Sequence, residues 1–388
     1  MKEAIGDEAC FHAALAVASN YTAHTHRGSP ANPALLRQGL RHRGLSLASV
    51  GRRLRHNMTD LGTLPAIAYL AGADFYAGDL VTTLLHLEAV KHIADAAGGL
   101  AKVNESLRGL LGIADAVTSW LVLRRPIFPA EDWDPGPWCK QSWSEYYSLD
   151  AAMPGQHASM RLIWGLDHQI PNVFLRDMLA ELNEMVLVRN LAISIDHRKH
   201  RNEIFRWLHL RRSAIKTHLL HHYLDILGAT QPLDTGSALA AAVCLVAWYC
   251  HGLIVYRSPT TDIHFPVRLL RPALESALLQ SESGECLTNL KLRLWLYFVG
   301  GLAEKRTGQY ISDDKKRIFT VRFLAVANKL ELVSWQDIRV VLRLFLYDSV
   351  LDNDLEALTT RSGLISTHPE EAFFKTLAAV PRAINGSL

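Results

Sequence analysis

Cysteine is scarce in this chain of 388 residues, and its five copies are scattered at Cys10, Cys139, Cys244, Cys250 and Cys286. An odd, dispersed set does not make a disulfide framework, and Cys244 and Cys250 lie inside an apolar run, which favours reduced, buried thiols of the cytoplasm or nucleus. Net charge is also low, at +3, so no overall basic surface points to nucleic acid. Proline numbers only 15 and hydrophobic residues reach 49%, which excludes a disordered chain. Phosphate loops, dinucleotide fingerprints, Gly-x-Ser-x-Gly elbows and His-Glu-x-x-His helices are all missing. No segment alternates at period two, so β-structure is minor. The opening MKEAIGDEACFHAALAVASN places acidic residues and His12 where a signal peptide needs a basic start and an apolar centre, so secretion is not expected. At this length a chain buries roughly three quarters of the surface its unfolded form exposes, enough for a large core without metals.

What is present is helical periodicity. The stretch Leu61 to Leu100 is the most legible: Leu64, Ile67, Ala68, Ala71 and Phe75, then Leu80, Leu84, Leu87, Val90 and Ala94, recur at three- and four-residue spacing. Gly78 suits the left-handed stop of the first helix, Asp79 the cap of the second, and Gly98-Gly99 a second stop, so an αα-hairpin is predicted. A first helix fits residues 3 to 20 with Cys10, Ala14, Val17 and Ala18 inward, followed by a loop broken by Gly28, Pro30 and Pro33. Another fits Ala34 to Asn57, with Leu35, Leu36, Leu40, Leu47, Val50 and Leu54 inward and Arg37, Arg41, Arg52, Arg53 and Arg55 solvated. Val103 to Leu123 is helical and stops at Arg124-Arg125-Pro126. Residues 126–155, rich in proline and tryptophan, form an irregular connection packed by its aromatics.

Helices resume near Phe174, with Met178, Leu182, Met185 and Val188 inward. They continue through Asp196 to Leu227, whose inner face is Ile204, Leu208, Ile215, Leu219, Tyr223 and Ile226 and whose basic residues sit outside. Ala238 to Tyr256 carries no formal charge and is the one transmembrane candidate; a helix apolar all round is also what the centre of a large helical domain requires. Further helices fit Phe265 to Gln280, Leu290 to Ala303 with Gly300-Gly301 permitting close approach, and Ile318 to Leu330. Ser334 to Asp337 reads as a capping box ahead of the stripe Ile338, Val341, Leu342, Phe345 and Leu346. Residues 361–388 form a less regular tail.

Clusters with chemical potential all have plainer readings. The arginines of the second helix lack an accompanying base-reading set. His218, His221 and His222 bring imidazoles onto one helical face, yet a metal site needs three or four ligands and only Asp225 is near. Asp313-Asp314 and Asp352-Asn353-Asp354 fail on spacing as magnesium sites, and helix capping explains both better. No catalytic, cofactor-binding, metal or DNA-binding residue is therefore assigned. The fold class is all-α, a compact multi-helix domain of stacked antiparallel helix pairs, read as one domain over 1–388 with its core at about 10–360.

Four blocks carry a resemblance: LLRQGLRHRGLSLASVGRRL, LPAIAYLAGADFYAGDLVTTLLHLEAVKHIADAAGG, LRLWLYFVGGLA and SWQDIRVVLRLFLYD. In their order and separation, from about Cys10 to about Thr360, the chain resembles the fungal-specific transcription factor domain, the all-α regulatory region that usually follows a zinc binuclear cluster. The resemblance implies a non-enzymatic transcription regulator in the nucleus, with HRKHR at His197 to Arg201 and RRLR at Arg52 to Arg55 as basic support. It implies as partners the transcription machinery or other regulators, a second copy of the chain, or a small-molecule effector, and no membrane. The family's zinc module opens Cys-x2-Cys-x6-Cys, and no such run exists among these five cysteines. DNA is then reached only through a missing or a partner module, and zinc is expected only with an upstream cysteine cluster. Either such a module precedes this sequence or the domain stands alone. Two other readings stand beside this one. A helical-repeat scaffold requires the hairpin to recur at about 34 residues, and an all-α enzyme requires a pocket lined by converging acidic or histidine side chains.

Overall fold

A computed structural model of the chain describes residues 6–25, 32–56, 61–145, 147, 170, 172–229, 233–255, 264–281, 289–307, 318–353 and 355. Every regular element among them is helical. The α-helices are α1 (Glu8–Thr25), α2 (Pro33–Arg55), α3 (Leu64–Ala77), α4 (Leu80–Ala96), α5 (Glu105–Val122), α6 (Val173–Ser194), α7 (Arg198–Ala229), α8 (Thr235–Val255), α9 (His264–Ser281), α10 (Leu290–Thr307), α11 (Ile318–Lys329) and α12 (Trp335–Leu342). Packing divides the chain into two compact units, Met1–Gly136 with His209–Leu220, and Pro137–Leu208 with His221–Leu388.

Helix boundaries in the first unit follow local chemistry. The predicted hairpin is α3 and α4: Gly78 ends α3 at φ 82°, and the Asp79 carboxylate accepts the Thr82 N–H at 3.0 Å. Gly98 and Gly99 stop α4 at φ 99° and 93°, with the Gly99 N–H donating to the Ala94 carbonyl. Asn104 caps α5, whose end at left-handed Leu123 precedes Arg124, paired to Glu88 at 3.1 Å.

Two inner faces differ from those predicted. Beyond its expected stripe α3 buries Ala66, Leu70, Ala73 and Asp74, so most of its circumference is covered. The reason is α1, which packs on α3 and α2 through Ala9, Cys10, Ala13, Ala16, Asn20 and Ala23. This face lies beside the predicted one, and Ala18 is exposed. Alanine side chains let the helix backbones approach closely, and that approach selects the smaller face over the more hydrophobic one. Asn20 then reaches across to donate its amide to the Ala73 carbonyl at 2.8 Å.

The connection after α5 packs by its aromatics, as expected over its described part. Phe128, Trp133 and Trp138 are buried. Trp133 sits where any side chain on Gly112 would project, and its ring therefore requires glycine on α5.

In the second unit α8 is the central helix, packing on α6, α9 and α10. It is the one helix among the described residues long and apolar enough to cross a membrane, and 89% of its apolar window is buried inside the protein. A helix apolar on every side is satisfied by protein neighbours on every side. Gly300 on α10 admits a neighbour as predicted, but the neighbour is a ring: a Cβ there would meet Phe319 at 2.6 Å. Glu304, at the end of α10, caps α11 by accepting from the Phe319 and Thr320 N–H groups and the Thr320 hydroxyl. The predicted capping box is present at Ser334 and Asp337, and Ile338, Val341, Leu342, Phe345 and Leu346 are all buried. Trp295 anchors this end, donating its indole N–H to the Leu346 carbonyl at 3.0 Å and stacking on Phe345.

Candidate functional site

Helix α2 departs furthest from its sequence pattern. Asn32 caps it, accepting the Ala34 N–H, and Pro33 occupies the first turn where its missing N–H costs nothing. Its buried residues are Gly39, Ser46, Ser49 and Val50; of the predicted inward face Val50 is buried and Leu47 packs half-buried on the core, and the other three buried residues are small. Gly39 lies on Asn20 so closely that a Cβ would clash with that amide, and the Ser46 hydroxyl donates to the Ala9 carbonyl at 2.9 Å. Close packing against α1 again selects the small face. Leu40 is consequently 65% exposed and Leu54 40%, a correction to the inward leucines predicted for this helix. The arginines do face solvent: Arg37, Arg41, Arg52 and Arg55 are exposed, with Arg52 reaching Glu8, while half-buried Arg53 pairs with Asp7 at 2.5 Å.

One arginine of α2 turns inward. Arg43 Nε donates to Asp74 Oδ1 at 2.5 Å, and His86 Nε2 of α4 lies 3.1 Å from Asp74 Oδ2. Asp74 is buried on α3, so this node ties α2, α3 and α4 together. The hydrogen bond to Asp74 raises the Arg43 guanidinium above its ordinary range. Both Asp74 carboxylate oxygens are engaged by neighbouring side chains, and the node therefore fixes the positions of the three helices.

A second buried carboxylate holds the loop after α5. Asp115 accepts from the Phe128 N–H at 2.8 Å and from the Ser119 hydroxyl at 3.1 Å. Burial pushes its pKa up to about 6, partly offset by these donors. From that loop Asp134 forms an ion pair with Arg211, and Trp120 donates its indole N–H to the Lys216 carbonyl at 2.7 Å. The middle of α7 is thus enclosed: Arg211, Arg212 and Lys216 are buried together with Ser213, Ala214, Ile215 and Thr217. This corrects the expectation that the basic residues of α7 sit outside, although Arg206 does.

The remaining candidates are dispersed. His222 approaches Asn172 at 3.1 Å and packs on Phe174, His218 and His221 are half-buried, and no group of three or more potential metal ligands occurs among the described residues. Asp352 accepts from the Tyr347 hydroxyl, pairs with Arg339 and stands at the end of the 3-10 turn Ser349–Leu351. Asp354, Asp313, Asp314, Cys286 and residues 361–388 lie outside the described residues. The thiols of Cys244 and Cys250 are buried and pushed upward by that burial, and burial followed by the nearby Asp7 charge pushes Cys10 up to about 12. Such thiols are packing groups, not nucleophiles. The node at Asp74 had a readable signal that the periodicity missed: a lone carboxylate seven residues after Ile67, on the buried stripe itself.

No curated protein and no solved structure matches the chain. A family model does match, and its matched residues contain α1 to α5, the Asp74 node and the loop held by Asp115. Over residues 1–163 the chain matches the fungal specific transcription factor domain, a family of transcription regulators and not an enzyme class.

Proposed function

We propose that this chain is a helical regulatory domain that controls transcription through protein contacts and does not itself read DNA. The observation that carries the reading is the family match over residues 1–163. Its support in the molecule is physical. The first unit ties five helices into one core, with buried ion pairs at Asp74 and Asp134 fixing helix positions, while its arginine-bearing helix keeps an open face. In this reading residues 1–388 act as one functional domain located in the nucleus. The cysteines do not supply the spacing of a zinc cluster, so DNA is reached through an upstream or a partner module. Its partners are the transcription machinery or other regulators, with a small effector or a second copy of the chain as modulators.

The test is to fuse the full chain to a heterologous DNA-binding domain and measure a reporter carrying its operator. A several-fold change in output relative to the DNA-binding domain alone supports the proposal. Output identical to that control, in a nuclear and intact fusion, overturns it.

A further inference from the structure

We propose that the outer face of α2 is a docking site for an acidic amphipathic helix of a protein partner, a proposal that rests on reading the chain as a regulator acting by protein contacts. Along α2 the residues Leu40, Gly44, Leu47, Gly51 and Leu54 follow at alternating intervals of four and three, the seam spacing of two helices wound together. Leu40 and Leu54 project into solvent, half-buried Leu47 between them packs on the core, and nothing lies within 4 Å of the place where a side chain on Gly44 or Gly51 would stand. The stripe therefore sets two leucine knobs, Leu40 and Leu54, at the ends of two open hollows, a relief that accepts the side chains of a second helix.

Charge decides which helix. α2 carries six arginines and no carboxylate. Asp74 pairs with Arg43, Asp7 with Arg53 and Glu8 with Arg52. Arg37, Arg41 and Arg55 stand exposed beside the stripe, with no carboxylate among the described residues paired to them. A second copy of α2 on this face would set arginine against arginine, which costs association. A nucleic-acid backbone would satisfy the arginines and leave Leu40 and Leu54 without an apolar partner. A helix with leucines on one face and glutamates flanking it satisfies both features together.

The test uses the full chain and a fluorescein-labelled synthetic peptide of about three heptads, leucine at the seam positions and glutamate beside them. A peptide of the same composition in shuffled order and a DNA duplex are the comparison probes. The heptad peptide should bind at least about tenfold more tightly than the shuffled one. The double variant Leu40→Glu/Leu54→Glu should erase that preference with an unchanged thermal melt, both positions being exposed. Arg37→Glu/Arg41→Glu should weaken binding and flatten its salt dependence. If the glutamate variant loses helicity, Leu40→Ala/Leu54→Ala is read in its place.

Equal binding of the two peptides, or a preference that survives the leucine variants, overturns the proposal. Duplex binding that needs the arginines but not the leucines assigns the face to nucleic acid instead. A dimer in sedimentation that the leucine variants dissociate assigns it to a second copy. The reporter fusion separates the two readings: an active fusion indifferent to the leucine variants removes the docking face and leaves the regulator. An inert fusion that still binds the heptad peptide removes the regulator and leaves the face.

Discussion

Helices α2 and α7 look alike in sequence and end in opposite environments. Both alternate arginine with leucine, and both invite the same reading of apolar residues inside and cations outside. In α2 four of the six arginines are exposed, Arg43 being the one that turns inward, but Leu40 and Leu54 are exposed too, while Gly39, Ser46 and Ser49 are buried. In α7 Arg211, Arg212 and Lys216 are within 8% of full burial beside Ile215 and Leu219. Periodicity counts what a helix offers, whereas burial depends on what its neighbours supply. For α2 the neighbour is α1, whose alanines reward close approach with small residues. For α7 it is a loop distant in sequence, which brings the Asp134 carboxylate to Arg211.

The largest effect that would break this contrast concerns Arg211. Its replacement by alanine leaves Asp134 without its cation in a site where both side chains are at least 85% buried, and should cost about 3–5 kcal/mol in urea unfolding. A loss below about 1 kcal/mol would mean that this turn of α7 is solvated after all.

Next in size is the carboxylate that holds the same loop. Asp115 has a pKa of about 6 in the folded chain against an ordinary 3.8, so the folded state binds the extra proton between those values. Its contribution to stability is therefore greatest in acid, declines as pH rises from about 4 to about 6, and is level above that. The full swing is on the order of 3 kcal/mol. Comparing Asp115→Asn with the wild type across this range should show that the variant lacks this slope. Identical profiles would place Asp115 in water.

Smaller still is Gly39→Ala, whose added methyl meets Asn20 and should destabilise by about 1–3 kcal/mol, measured as a lowered unfolding midpoint. A stabilised variant would show that α1 and α2 do not approach so closely. Smallest is Arg41→Ala, expected within about 0.5 kcal/mol of wild type by the same measurement; its near-silence beside Arg211→Ala sharpens the contrast.

These two helices also mark the limit of what the sequence reveals. The hairpin of α3 and α4 was legible because its instructions are local: Gly78 takes the left-handed turn, Asp79 caps Thr82, and Gly98-Gly99 stops the second helix. The capping box at Ser334 was legible for the same reason. The faces of α1 and α2 were not, because alanine, serine and glycine score poorly as hydrophobes yet permit the closest helix contacts. The node joining Arg43, Asp74 and His86 draws its members from three helices, so no single window contains it. The family blocks before residue 100 fall inside the matched region, while those at Leu292 to Ala303 and Ser334 to Asp348 lie beyond residue 163. They are explained by packing in the second unit, through Gly300, Trp295 and Leu346.

The inverted face of α2 is the claim on which the candidate surface depends, and one paired measurement tests it directly. Leu40→Glu and Ser46→Leu are compared with wild type by urea unfolding. Leu40 projects into solvent, so its glutamate variant should unfold within about 0.5 kcal/mol of wild type. Ser46 is fully buried and donates to the Ala9 carbonyl, so the larger leucine should cost about 1–3 kcal/mol. The reverse outcome, a costly glutamate at position 40 and a tolerated leucine at position 46, would return the leucine stripe to the core and contradict the account.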